Sequence, residues 1–253
     1  MKWWFSIGIV LMVLVVGCTP PGPLSEGEGP AHEALEGIDS LMWKEPDSAL
    51  KVMMEFAAKV EADSMDAFEG HYCQMLISEL LYKNYKQQSN RNDLLQAVGY
   101  FDSIVATNGY KKGRHKADAR GASLRERNVF LDARAHYING AGFYERNDVV
   151  NACAEYLKAL EAMEEQFEEK ELTEKKAVFM FYAYNRLLEL FSAQFMMDPV
   201  LFCGEKALFC CQDEASLSKE TPNTYYHIGR QYDKMGEKEV ARKYYGQAIE
   251  EGD

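Results

Sequence analysis

PNTYYHIGRQYDKMGEKEVARKYYGQAIEEGD, residues 222–253, reads as one helical hairpin. Gly229 and Tyr232 sit three apart on a first helix, and Ala241, Tyr245 and Ala248 recur at helical spacing on a second. Met235-Gly236-Glu237 supplies the turn between them. Small residues at 229, 241 and 248 let two helices approach closely, and Tyr232 and Tyr245 fill the space beside them. The pattern returns 89 positions earlier as Gly140, Phe143, Ala152, Tyr156 and Ala159, with Asn147 at the turn. Five matches at one offset mark an internal repeat. A repeated hairpin buries its apolar face against its neighbours, so a solenoid is expected rather than one central core.

The rest of the chain is compatible with the same unit. Ala, Leu, Glu, Lys and Met dominate, and long alternating runs of Val, Ile and Thr are missing, which favours helix. Short helices are expected over 31–42 and from Pro46, where proline is tolerated in the first turn. Further helices are expected over 68–85, 93–107, 129–146 and 149–169. Asn108-Gly109 stops the one over 93–107. Residues 177–197 are apolar on most sides and should lie buried between hairpins, with Asp198-Pro199 as a break before 200–211. Tyr184, Leu188, Phe191 and Ala207 place a degenerate repeat there. The expected fold is therefore all-α: an α-solenoid of antiparallel hairpins with about ten helices.

The chain has 253 residues and a formal charge of −12. An acidic solenoid is a poor partner for nucleic acid, which needs clustered Lys and Arg. One local exception is Lys111, Lys112, Arg114, Lys116, Arg120, Arg125 and Arg127, a positive stretch read as a solvated linker, with a docking surface for an acidic partner, lipid head groups or cell-wall polymer as the other reading. At the other end of the chain, Met1-Lys2 precedes an almost wholly apolar run from Trp3 to Val16. That run is short for a transmembrane helix, which needs about 20 residues, and suits a leader sequence. Leu14-Val15-Val16-Gly17-Cys18 closes it, and the Pro- and Gly-rich TPPGPLSEGEGP tether follows over 19–30.

These features resemble a tetratricopeptide-repeat lipoprotein of Gram-negative bacteria. The resemblance rests on the two hairpins and on the lipobox-like 14–18. It implies a right-handed superhelix over 31–253, a leader over 1–17 and a lipidated Cys18 at the head of the 18–30 tether. Acyl chains such as palmitate would then hold the chain at a membrane. Thr19 rather than Asp after Cys18 favours the outer membrane of the cell envelope. The implied function is a protein interaction module or scaffold. The alternative is a periplasmic input component of a signalling system related to repeat-containing sensor kinases or regulators. Such repeats take a peptide or protein along the concave side. By repeat position Arg134, Tyr137, Ala141 and Tyr144 face that groove in one hairpin, and Asn223, Tyr226, Arg230 and Asp233 in the other. The last hairpin has no capping helix after it, so homo-oligomerisation through that face is expected.

No nucleotide-binding, metalloprotease, hydrolase or calcium-loop motif is present. Ser48-Ala49-Leu50-Lys51 and Ser216-Leu217-Ser218-Lys219 match S-x-x-K without the companion motifs of an acyl-enzyme. His32, His71, His115, His136 and His227 include no pair three or four apart, so no helical His–His metal site is expected. Beyond Cys18 the cysteines are 73, 153, 203, 210 and 211, an odd set suited to packing rather than to a disulfide framework. The sequence thus predicts no enzyme, no cofactor and no metal.

Overall fold

The computed structural model describes residue 29 and residues 31–60, 64–86, 91–107, 119–166, 173–211, 217 and 219–252, without the side chains of 119–121 and 166. The leader, Cys18 and nearly all of the tether lie outside the described residues, as do Lys111, Lys112, Arg114 and Lys116.

The described residues form ten helices and no strand: α1 His32–Met42, α2 Pro46–Lys59, α3 Ala67–Lys83, α4 Arg91–Thr107, α5 Ala119–Glu145, α6 Val149–Gln166, α7 Glu174–Ala193, α8 Met197–Cys211, α9 Thr221–Lys234 and α10 Lys238–Glu250. Successive helices pack as five hairpins, and each hairpin packs on the next. First helices also touch first helices, α1 with α3, α3 with α5 and α7 with α9. Phe130 and Tyr137 of α5 meet Phe179 of α7 with ring centroids 5.6 and 5.5 Å apart. The first helices therefore make one continuous side of the molecule. This is the all-helical solenoid expected from the repeat. None of the described helices is long and apolar enough to cross a membrane.

The small residues of the repeat act as the sequence suggests. A Cβ on Gly140 would stand 3.0 Å from the Tyr156 ring, and one on Gly229 would stand 2.9 Å from the Tyr245 ring. The same glycine–tyrosine contact thus closes α5 on α6 and α9 on α10. Ala152 and Ala159 are wholly buried, as is Ala241, whereas Phe143, Tyr232 and Ala248 are half-buried. Ala241 is the buried residue of α10.

Four hairpin turns share one closure. Tyr85, Asn147, Phe195 and Gly236 have φ of 54°, 59°, 58° and 83°, in the left-handed region. In each turn the next N–H reaches back to the carbonyl five residues earlier: Lys86 to Leu81 at 2.9 Å, Asp148 to Phe143, Met196 to Phe191 and Glu237 to Tyr232, each at 3.0 Å. This bond satisfies a carbonyl that the helix end leaves open. The break at Asp198-Pro199 moves accordingly. Residues 194–196 make the turn, and Pro199 sits inside the first turn of α8, where its missing N–H costs nothing.

The helix α5 is 27 residues long and begins well before the expected start at 129. It belongs to both halves of the core. Leu131, Ala135 and Ile138 pack with α1–α4, while Val129 and Ala133 pack with α6–α8. Arg127, read as part of a solvated stretch, instead lays its guanidinium 4.5 Å over the Phe68 ring. At the other end Asp66 and Glu69 form a reciprocal cap on α3, with bonds of 2.8 and 3.0 Å, and Glu69 also accepts from the Ala31 N–H at 2.9 Å.

Candidate functional site

The first helices line a half-open cavity of about 650 Å³. Its wall comes from the C-terminal parts of α1, α3 and α5, from the middle of α7 and from the turn after α3. Trp43, Tyr82, Tyr85, Tyr137, Tyr144, Phe179 and Tyr182 supply the aromatic part, and Lys83, Lys86, Arg186, Glu79 and Glu145 the charged part. Aromatic side chains thus make up more than half of the lining. Such a wall offers flat apolar area with polar tips, the mix that binds side chains at interfaces.

Arg186 fixes the floor. It donates to Tyr82 Oη at 3.0 Å and to Glu189 Oε2 at 2.9 Å, and its charge lies near the Tyr137 hydroxyl. Its guanidinium also lies 5.8 Å over the Tyr144 ring. Burial alone would lower its pKa, but Tyr137, Tyr82 and Glu189 raise it, so the charge is permanent. Burial drives the Tyr137 hydroxyl well above its ordinary value, so it stays protonated as a donor.

The groove residues expected from the repeat fall into four places. Tyr137 and Tyr144 line the cavity, Tyr144 with 42% of its surface exposed. Asn223, Tyr226, Arg230 and Asp233 form an exposed stripe along α9, and none of them lines the cavity. Ala141 is buried in the helix packing. Arg134 departs from the expectation, because it is only 1% exposed and lies beneath the cavity wall. It donates from Nη1 and Nη2 to the two oxygens of Asp39, each at 2.8 Å, and from Nε and Nη2 to Glu79 Oε2 at 3.0 and 2.7 Å. Tyr72 Oη donates to Asp39 at 2.6 Å and Trp43 Nε1 at 3.2 Å. With its donors spent on α1 and α3, Arg134 positions the wall and offers nothing to a partner directly.

A second polar cluster joins α4, α5 and α6. His136, 2% exposed, has Nδ1 2.9 Å from Glu155 Oε2 and Nε2 3.1 Å from Asp102 Oδ1. Asn139 and Lys158 also donate to Glu155, at 2.8 and 2.9 Å. Burial would lower the imidazole, but Asp102 and Glu155 raise it to about 9. Burial pushes Asp132 up to about 7. Burial also opposes ionisation of Glu155, yet bonds from His136, Lys158 and Asn139 bring it down to about 2. Asp102, Asp132 and His136 bring three ligand-type atoms within 4.8 Å of one another. With one histidine and two carboxylates, this set has no His–His spacing to mark it in the sequence. Its visible trace was Asp132 and His136, four apart on one helix.

The five cysteines at 73, 153, 203, 210 and 211 are free thiols. Burial pushes Cys73 and Cys203 up to about 12, which suits packing rather than reactivity.

No family model matches the chain, and no curated protein matches its sequence. Among solved structures it is similar to the crystal structure of MamA, with 17% identity, a TM-score of 0.44, and 85% of this chain and 93% of that chain covered. The fold assignment stands on the hairpins themselves.

Proposed function

We propose that the chain is a lipid-anchored interaction module of the cell envelope, which takes a side chain of a protein or peptide partner into the aromatic cavity. The cavity carries this reading. It opens among the first helices of four hairpins, where an extended partner would meet several repeats at once. Tyr144, Tyr182 and Tyr85 are exposed at its wall at 42%, 38% and 99%, which leaves their rings open to a partner. Tyrosine and arginine are frequent anchors of binding energy. The apolar run ending in Leu14-Val15-Val16-Gly17-Cys18 supports the anchor, and Thr19 supports the outer membrane. Intact mass of the membrane-extracted protein tests that part: acyl additions at Cys18, abolished in Cys18→Ala, are expected.

The partner is tested by capture from native envelope extract with the full-length protein. A Tyr144→Ala/Tyr182→Ala variant should lose the captured protein. A Tyr226→Ala/Arg230→Ala variant should keep it. The reverse pattern would move the site to the α9 stripe, and equal capture by both variants would remove the cavity from recognition.

A further inference from the structure

The cluster on the α4–α5–α6 side of the molecule is more than a set of ion pairs. We propose that Asp102, Asp132 and His136 bind one divalent first-row transition-metal ion of the zinc class. The geometry is close to what such an ion needs. Ligand atoms around tetrahedral zinc, at about 2.0–2.1 Å from the metal, lie about 3.3 Å apart. His136 Nε2 is 3.1 Å from Asp102 Oδ1 and 3.8 Å from Asp132 Oδ1. An ion seated between them needs only small side-chain adjustments and replaces the proton on Nε2.

Three further observations support the site. Asp132 is 4% exposed and its Oδ1, directed into the cluster, has no hydrogen-bond partner. A buried carboxylate oxygen left open is costly, and a cation is the ligand that satisfies it. His136 is held from behind. Its Nδ1 faces Glu155 Oε2 at 2.9 Å, and Glu155 is itself fixed by Asn139 and Lys158. A carboxylate behind a histidine sets the tautomer that presents Nε2 and raises its basicity toward a metal. Finally, the Asp102 side chain is 54% exposed, which gives an ion a way in from solvent.

The donor set selects the metal. One imidazole nitrogen with two carboxylates suits zinc-class ions, whereas calcium and magnesium favour all-oxygen shells. Three protein ligands leave a fourth position for water. The ion would tie α4 to α5 and, through Glu155, to α6. None of the three ligands lines the aromatic cavity, so the site is separate from the proposed recognition surface.

The test is Zn²⁺ titration of the full-length metal-free protein by calorimetry, with Co²⁺ absorption alongside. One Zn²⁺ per chain is expected. Asp102→Asn and Asp132→Asn should each weaken it by at least about tenfold, and Glu155→Gln by about 10–100-fold through its support of His136. Asp102 is half-exposed, so its variant keeps the fold and remains informative. Co²⁺ should give visible bands without a thiolate charge-transfer band in the near ultraviolet. Absence of saturable binding, wild-type affinity in both Asp variants, or a thiolate band tracing the ion to the cysteines would each overturn the proposal.

Discussion

Arg134 holds Asp39 through two parallel bonds of 2.8 Å across 95 positions of sequence. The pair welds the first helix of the third hairpin to that of the first, and Glu79 brings in the second. Removing the guanidinium leaves two carboxylates in a site with little water. Breaking such a buried pair from one side costs about 3–5 kcal/mol. Arg134→Met should therefore lower the unfolding free energy from urea titration by that amount. Arg134→Lys should recover only part, because one ammonium cannot span both carboxylates.

The same pair sets an acid limit. Burial pushes the Asp39 carboxyl up, but the charge and hydrogen bonds of Arg134, with the Tyr72 hydroxyl, bring it below its ordinary value. A group depressed in the folded state contributes fully above its unfolded pKa, about 4, and that contribution is lost as pH falls through the folded value. Stability from Asp39 should be level from about pH 7 to 5 and decline below about 4. Urea titrations at a series of pH values check this. In Asp39→Asn the protein should be weaker at neutral pH, and its decline on acidification shallower than in the wild type.

Gly140 and Gly229 should respond differently from Gly99 and Gly246. Alanine at either would push a methyl into a tyrosine ring at 3.0 or 2.9 Å. Overpacking of this kind costs about 1–3 kcal/mol, less what the helix gains from losing glycine. Gly99 of α4 and Gly246 of α10 have nothing within 4 Å of an added Cβ. Gly99→Ala and Gly246→Ala should stabilise the protein by about 0.5–1 kcal/mol. Opposite signs in thermal melts of the two pairs are the expected result.

These contrasts also show what a single sequence can reveal. The Gly–Tyr contact was legible because both partners lie within one hairpin and recur at a fixed offset. Arg134 was misplaced because its repeat position points toward the groove, while Asp39 and Glu79 come from hairpins 95 and 55 positions away. The metal-type cluster was missed for a similar reason, since Asp102 reaches His136 from 34 positions upstream. Tyr82 could have been found. It stands three residues before the turn residue Tyr85, as Tyr144 stands before Asn147, so alignment on the turns brings it to the groove. Trp43 and Tyr182 follow no such register, and only the packing of first helices collects them.

Tyr85 joins strain to exposure. Its φ of 54° places a bulky residue where glycine or asparagine is normal, and its side chain is 99% exposed at the cavity wall. The left-handed conformation costs a residue of this kind about 1–2 kcal/mol. Nothing in the packing repays that, because the ring is almost wholly in solvent. Retained strain at an exposed position fits a residue kept for contact with a partner. Tyr85→Gly should therefore raise the unfolding midpoint while weakening capture of the envelope partner. Phe195→Gly serves as the comparison, since Phe195 has the same backbone conformation at φ 58° but does not line the cavity. Its stability gain should be smaller, because Lys234 lies 4.4 Å over its ring, and its partner capture should be unchanged. Undiminished capture by Tyr85→Gly would show that the strain serves the turn alone.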